Sequence, residues 1–301
     1  MRREAEFRTE DGTLLRGFLH LRAGGPPAPG IVMAHGFSGV KEQIDPYAAL
    51  FAEAGFAVLL YDHRGFGTSE GEPRLEVDPY RQISDWRDAI SFAATLPEVD
   101  ALHGFGIWGS SFAGGLALVV AANDKRVRCV VSQIPNVSGH RNSREMFSAA
   151  QLMELRGRFA DDRALRLAGH PPAMIPVFTT EPGQLCALPP TVSQQFIDYG
   201  LATTPTWRNE VTLRSLEHMI EFEPAGWAPH IAPKPLLMIV AAQDTCTFPQ
   251  IQLDVFEAAR QPKNLIVHQG SHFDTYTDHF GETSQPARDW FLRHLTIAVC
   301  G

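Results

Sequence analysis

Apolar residues fall along the chain in two alternating patterns. Short runs that are apolar on both faces cover residues 30–34, 56–61, 104–108, 127–132, 235–242 and 264–269. Runs of that length, rich in β-branched and aromatic side chains, are the mark of buried strands. Between them lie stretches with helical spacing. Residues 78–95 put Ile83, Trp86 and Ile90 on one face, 47–54 stops at the helix-ending Gly55, and 111–123 is rich in Ala, Leu and Val. Helical spacing returns over 249–260 and 279–295. Two further strand-like runs, 4–9 and 14–21, flank Asp11-Gly12, a hairpin turn signal. The pattern predicts an α/β protein with a mostly parallel, doubly wound sheet, entered through an N-terminal antiparallel hairpin.

Between residues 136 and 233 the alternation stops. This stretch is rich in Pro, Met and aromatic residues, with helical spacing around 143–158 and 192–199. Because the sequence on both sides returns to one sheet, the stretch reads as a mainly helical lid inserted between two sheet strands. The predicted organisation is a core of residues 1–135 and 234–301 and a lid of residues 136–233.

Composition narrows the class. The chain has 301 residues, 44% hydrophobic and 20% charged, with a formal net charge of −8. That is globular composition, not that of a disordered chain. A nucleic-acid surface needs a basic stripe, and no Lys/Arg cluster supplies one. The longest apolar runs, 116–122 and 236–242, are far below the roughly 18 residues of a membrane span. No apolar stretch follows the charged N-terminus, so no secretory signal is expected. Cys129, Cys186, Cys246 and Cys300 are scattered and lack CxxC spacing, which fits reduced thiols in a cytoplasmic protein better than a disulfide frame or zinc site.

The sharpest local chemistry lies in Gly109-Ser110-Ser111-Phe112-Ala113-Gly114-Gly115, which follows a predicted strand and opens a predicted helix. A nucleophilic serine on a tight strand-to-helix turn needs small residues two before and two after it. Ser111 has Gly109 and Ala113 there; Ser110 has Trp108 and Phe112. Ser111 is therefore the candidate nucleophile and Ser110 its neighbour. Gly104, Gly106 and Gly109 also match a dinucleotide-binding spacing, but they lie within the strand, and residues 130–133 bring no acid to the next strand's end.

A serine hydroxyl needs a base, and the base needs an orienting carboxylate. Asp244 is the first carboxylate past the strand at 235–242, and His272 follows the strand at 264–269. Both fall at strand carboxyl ends, as Ser111 does. The amide of Phe112, next to the nucleophile, and that of Phe37, in the loop His35-Gly36-Phe37-Ser38-Gly39, are the candidate oxyanion donors. His35 reads as a ring hydrogen-bonded beneath that loop, and Arg64 in Asp62-His63-Arg64-Gly65-Phe66-Gly67 as an ion-paired structural residue. His272 and His279 with Asp274 and Asp278 have a spacing a metal could use, but Asp and His at a helix start serve as caps. No metal and no cofactor are assigned.

With these motifs in place the chain resembles the α/β-hydrolase superfamily over nearly its whole length. More narrowly, it is similar to the polyketide-transferase-like branch, near dienelactone-hydrolase-like proteins. The residues that carry this are Met33-Ala34-His35-Gly36-Phe37-Ser38, Asp62-His63-Arg64-Gly65-Phe66-Gly67 with Gly71-Glu72-Pro73-Arg74, Gly106-Ile107-Trp108-Gly109-Ser110-Ser111, Val130-Val131-Ser132-Gln133 and Gly270-Ser271-His272-Phe273-Asp274. Ala113 departs from the glycine or serine usual at its place. The resemblance implies hydrolases acting on thioester-bound or esterified acyl chains.

The expected activity is a serine hydrolase cleaving a carboxylic ester, lactone or thioester through Ser111, His272, Asp244 and an acyl-enzyme. Alternatives on the same triad are an amide, peptide or C–C bond hydrolase and an acyltransferase. A peptidase would need a clamp for a substrate terminus, for which Glu181, Glu217 and Glu221 are the lid carboxylates at hand. Met146, Phe147, Met153, Phe159, Phe178, Phe196, Tyr199, Trp207, Met219, Phe222 and Trp227 make the lid apolar, so a small-molecule substrate with an apolar acyl group is expected. A lid surface of this kind is also one on which a second copy of the chain could pair as a homodimer. No nucleic-acid or membrane partner is expected.

Overall fold

The structure, a computed structural model, describes residues 1–189, 192 and 194–295. The predicted hairpin is β1 (Arg2–Arg8) and β2 (Leu14–His20), paired antiparallel. There follow β3 (Ala28–Ala34), α1 (Asp45–Glu53), β4 (Ala57–Tyr61), α2 (Pro79–Ala93), β5 (Val99–Ser110), α3 (Phe112–Asn123) and β6 (Val127–Gln133). The middle segment contributes α4 (Gly139–Met146), α5 (Ala149–Leu167), β7 (Met174–Pro176), α6 (Gln194–Thr203), β8 (Glu210–Thr212) and α7 (Leu213–Glu221). The chain then completes the sheet with β9 (Leu236–Ala241), α8 (Pro249–Ala258), β10 (Lys263–His268) and α9 (Phe280–Leu295).

Eight strands form one sheet in the order β1-β2-β4-β3-β5-β6-β9-β10, parallel from β4 to β10. Alternate residues of a strand feed different cores. Ile31 and Met33 face a layer with Tyr47 and Phe51 of α1 and Trp290 and Phe291 of α9. Val32 and Ala34 face α2, α3 and α8. Both faces are therefore covered, which is why these strands read as continuous apolar runs. Ile83, Trp86 and Ile90 of α2 are buried as predicted, while Tyr80 points outward. Residues 112–121 of α3 are buried all round, the position of a central helix.

Residues 136–233 lie between β6 and β9, which pair directly, Val130 with Leu236 through Gln133 with Ile239. Within them the single helical stretch expected at 143–158 is two helices. The first stops at Met146, and Ser148 caps the next, accepting from the Gln151 amide while Gln151 Oε1 accepts from the Ser148 amide at 2.9 Å. The stretch expected at 192–199 overlaps α6, although residue 193 lies outside the described residues. The short antiparallel pair of β7 and β8 was not anticipated.

Strand register fixes where the loops emerge. Ala34 pairs with Gly109, Ser110 with Gln133, Gln133 with Ile239 and Ala241 with His268. The carboxyl ends of β3, β5, β9 and β10 therefore share one rim, and the loops that follow them face one another there.

Cys129, Cys186 and Cys246 are buried thiols; Cys300 lies outside the described residues. Among the described residues no helix is long and apolar enough to cross a membrane.

Candidate active site

Ser111 sits between β5 and α3 with φ 58° and ψ −122°, a left-handed backbone that a serine adopts only under constraint. Such a conformation costs on the order of 1–3 kcal/mol and persists where its surroundings fix it. Here the Ser111 amide donates to Gln133 O at 2.8 Å, and Ser111 O accepts from Gly114 at 2.9 Å and Asn136 at 3.0 Å. The turn also demands the small residues around it. A Cβ on Gly109 would stand 2.2 Å from Ala113 O. The dinucleotide spacing has no loop to act from, since Gly104, Gly106 and Gly109 all lie inside β5.

His272 Nε2 lies 3.0 Å from Ser111 Oγ, and His272 Nδ1 lies 2.8 Å from Asp244 Oδ2. An ionised carboxylate can only accept, so Nδ1 carries the proton and Nε2 is left to accept from the serine. Asp244 is held by further donors: its Oδ1 accepts from the amides of Cys246 at 2.7 Å and Thr247 at 2.9 Å, and its Oδ2 from Thr247 Oγ1 at 2.7 Å. Burial by itself raises the pKa of this carboxyl, but the His272 ring and the Thr247 donors outweigh it and bring the pKa below the ordinary aspartate value. The structure thus brings together all three side chains singled out in the sequence.

The two candidate oxyanion amides flank the serine. Among the described residues neither the Phe37 nor the Phe112 amide donates to a protein acceptor. Phe112 opens α3, where the first amides have no intrahelical partner. The Phe37 and Phe112 rings meet edge to face at 5.8 Å. Gly36 lets the loop approach this closely, since a Cβ there would stand 3.0 Å from both Ser110 O and Ser111 Cβ.

The loop is braced from below. His35 is buried and, by that burial, lowered in pKa and kept neutral. Its Nδ1 donates to Gly36 O at 3.0 Å and its Nε2 accepts from the His63 amide at 3.0 Å. Lys41, 1% exposed, reaches Asp62 Oδ2 at 2.7 Å. A fully buried lysine paired across two loops left no trace in the sequence pattern. Arg64 is ion-paired as expected, with Asp85 and with Asp11 at 2.7 Å. Ser110 points away from the rim: its Oγ meets Tyr276 Oη at 2.7 Å and accepts from Gln133 Nε2 at 3.2 Å.

A cavity of about 410 Å³ opens over Ser111 and His272. Of the aromatic residues named in the middle segment, Phe178, Phe196, Tyr199 and Trp207 line it, beside Phe273. Phe178 and Phe196 pack on Phe273 at 5.5 and 5.1 Å, and Phe273 packs on His272 at 5.1 Å. Phe159, Met219 and Phe222 are instead buried packing residues, while Met153 and Trp227 are exposed. Glu181, Glu217 and Glu221 do not line the cavity; Glu217 is held by Arg163 at 2.7 Å. The carboxylate that does is Glu42, paired with Lys41 at 3.1 Å. A second cleft of about 1060 Å³, lined by Lys125, Arg128 and Arg293, lies at the amino ends of the strands, away from the serine.

Of the expected cap residues, Asp274 Oδ2 accepts from the Ser271 amide at 2.8 Å and His279 Nδ1 meets Glu282 Oε1 at 3.0 Å. The donor cluster that could hold a metal among the described residues is a different one, Asp244, Cys246 and His272.

A parallel sheet with a strained serine between strand and central helix, and an acid and a histidine after its last two strands, defines an α/β hydrolase. Residues 25–278 match the family described as "Serine aminopeptidase, S33", and the chain belongs to that family of α/β-hydrolase enzymes. It is 34% identical to the thiohydrolase aneE of Aspergillus aculeatus over 88% of this chain and 84% of that one. It is 30% identical to the polyketide transferase ATR5 of Stachybotrys chlorohalonatus over 98% and 97% of the two chains. The crystal structure of the alpha/beta hydrolase GrgF from Penicillium superposes with a TM-score of 0.83 at 27% identity, covering 99% of this chain and 100% of that one.

Proposed function

We propose that the protein is a serine hydrolase that cleaves a carboxylic ester, lactone or thioester carrying an apolar acyl group. The observation that carries this reading is the continuous path Asp244–His272–Ser111, with contacts of 2.8 and 3.0 Å, opening into the aromatic cavity. In the proposed cycle His272 takes the Ser111 proton as Oγ attacks the acyl carbon. The amides of Phe37 and Phe112 receive the developing oxyanion, and His272 protonates the leaving alkoxide or thiolate. His272 then activates water, which attacks the acyl-enzyme and regenerates the serine. Asp244 keeps the proton on Nδ1 and stabilises the cation that forms on the ring. Residues 136–233 act as a lid whose Phe178, Phe196, Tyr199 and Trp207 take up the acyl chain.

A second reading discharges the same acyl-enzyme to an alcohol or amine instead of water, and the polyketide transferase among the relatives favours it. Peptide hydrolysis is less well supported, because Lys41 already pairs the carboxylate in the cavity.

The test is labelling with a fluorophosphonate probe and mapping of the adduct, followed by a panel of aryl esters, thioesters and aminoacyl anilides. The expected results are an adduct on Ser111 and turnover of esters and thioesters that rises with apolar acyl length. An unlabelled serine, or a preference for short charged acyl groups, overturns the reading. Adding an alcohol or amine acceptor separates transfer from hydrolysis by the products formed.

A further inference from the structure

Asp244 does more than orient a histidine. The turn that satisfies its Oδ1 with the amides of Cys246 and Thr247 also leaves the Cys246 Sγ within 4.8 Å of an Asp244 carboxylate oxygen. One ligand atom each from Asp244, Cys246 and His272 lie within 4.8 Å of one another, and all three residues are buried. We propose that these three residues form an inhibitory site for a thiophilic divalent cation such as Zn²⁺ or Cd²⁺, which on binding draws His272 away from Ser111.

The chemistry of the set supports this. Thiolate, imidazole and carboxylate are the ligand types of zinc and cadmium, and the thiolate discriminates against Mg²⁺ and Ca²⁺. Carboxylate and thiolate together carry two negative charges, so a dication closes the site with no net charge left in a buried place. The spacing is near what a metal requires. His272 Nδ1 and Asp244 Oδ2 are already 2.8 Å apart, and no donor of the three is more than 4.8 Å from another, so a modest inward shift brings all three to bonds of roughly 2.0–2.3 Å around one ion.

Entry is through the cavity that His272 lines. Binding forms bonds from the cation to Sγ, His272 Nδ1 and a carboxylate oxygen and breaks the His272–Asp244 hydrogen bond, the Nδ1 proton passing to Nε2 by way of solvent. It releases the thiol proton to solvent and changes no oxidation state. Neither Cys129 nor Cys186 belongs to this cluster. The ligand set of Asp244, Cys246 and a histidine 26 positions further on matches no local cysteine motif, which is why it is invisible in the sequence.

The inhibitory consequence rests on the catalytic reading; the binding itself does not, and the experiment separates them. Cd²⁺ is titrated into the protein, Cys246→Ser and Cys246→Ala, each checked for a cooperative thermal transition, and the near-ultraviolet thiolate-to-cadmium absorption is followed. The expected result is one equivalent of charge-transfer absorption in the unaltered protein that is lost in both variants. In parallel, fluorophosphonate labelling of Ser111 is timed with and without Cd²⁺ within each protein. Cd²⁺ is expected to slow labelling by roughly tenfold or more in the unaltered protein, reversibly with a chelator, and to leave the ratio near one in the variants. Absorption that persists without Cys246, or labelling that Cd²⁺ does not slow, overturns the proposal. If the protein is not labelled at all in the absence of cadmium, the catalytic reading fails, and the absorption titration alone decides whether the site exists.

Discussion

Ser111 and His272 stand 161 positions apart in the chain, yet the imidazole Nε2 lies 3.0 Å from the serine Oγ. The sheet makes this meeting inevitable. Ser111 follows the central strand β5, His272 follows the edge strand β10, and the parallel pairing of β5 with β6, β6 with β9 and β9 with β10 brings both loops to one rim. The precision of the pair then depends on how firmly each loop is held.

Replacing Ser111 by alanine removes the proposed nucleophile from a turn whose main chain is pinned at both ends. Turnover of any good substrate is expected to fall by roughly four orders of magnitude or more, with the thermal transition retained. Ser110→Ala removes a hydroxyl that faces Tyr276 and Gln133, not the cavity, and is expected to reduce turnover by less than about tenfold. Steady-state kinetics on both variants checks the order; equal losses would contradict the assignment.

Gly36 is a position where a side chain has nowhere to go. Gly36→Val forces the loop away from Ser110 and Ser111, and with it the Phe37 amide. The expected loss is about 100-fold or more in kcat, the size seen when one oxyanion donor is removed, with a smaller change in KM. A variant that unfolds at the usual temperature and retains full kcat would show that the Phe37 amide takes no part.

Phe196 lines the cavity and packs on Phe273, but it is 39% exposed and so carries little of the fold. Phe196→Ala is expected to raise KM about tenfold for long apolar acyl esters and to leave acetyl esters nearly unchanged. A uniform effect across acyl lengths, measured on an ester series, would place the acyl chain elsewhere.

Asp244 links the site to stability. Its pKa in the folded protein is depressed, so it stabilises the fold above its unfolded value of about 4 and loses that contribution as the pH falls through the folded value. The stability difference between the protein and Asp244→Asn is therefore expected to shrink as the pH is lowered from about 5 toward about 2. Urea unfolding across that range measures it, and a difference that grows on acidification would mean that folding raises this pKa instead of lowering it.

The sheet and the three polar side chains at its rim were legible because each has a local signature. Buried parallel strands are apolar throughout, and the residues that follow them are named by position alone. Ser111 could be told from Ser110 by its small neighbours, which the strained turn requires. What was not legible depends on contacts between distant segments. Lys41 and Asp62 are bland in sequence and become a buried pair only when two loops meet. Tyr276 finds Ser110 across 166 positions. The break between α4 and α5 was a different kind of miss, since Ser148 and Gln151 carry a readable capping signal that the helical periodicity around them masks.

The middle segment leaves the sheet after β6 and rejoins it at β9, the strand alongside. Its departure and return are thus neighbours, and the framework does not have to open to accommodate what lies between. If residues 136–233 form the proposed lid, what lies beyond Asn136, whose amide holds the Ser111 carbonyl, is open to exchange as a cassette, one set of aromatic walls for another, while the serine on one side of the junction and the acid and histidine on the other keep their places. On the proposed reading reactivity and selectivity are then separately heritable, and a new substrate range can arise without any change to the three side chains at the rim.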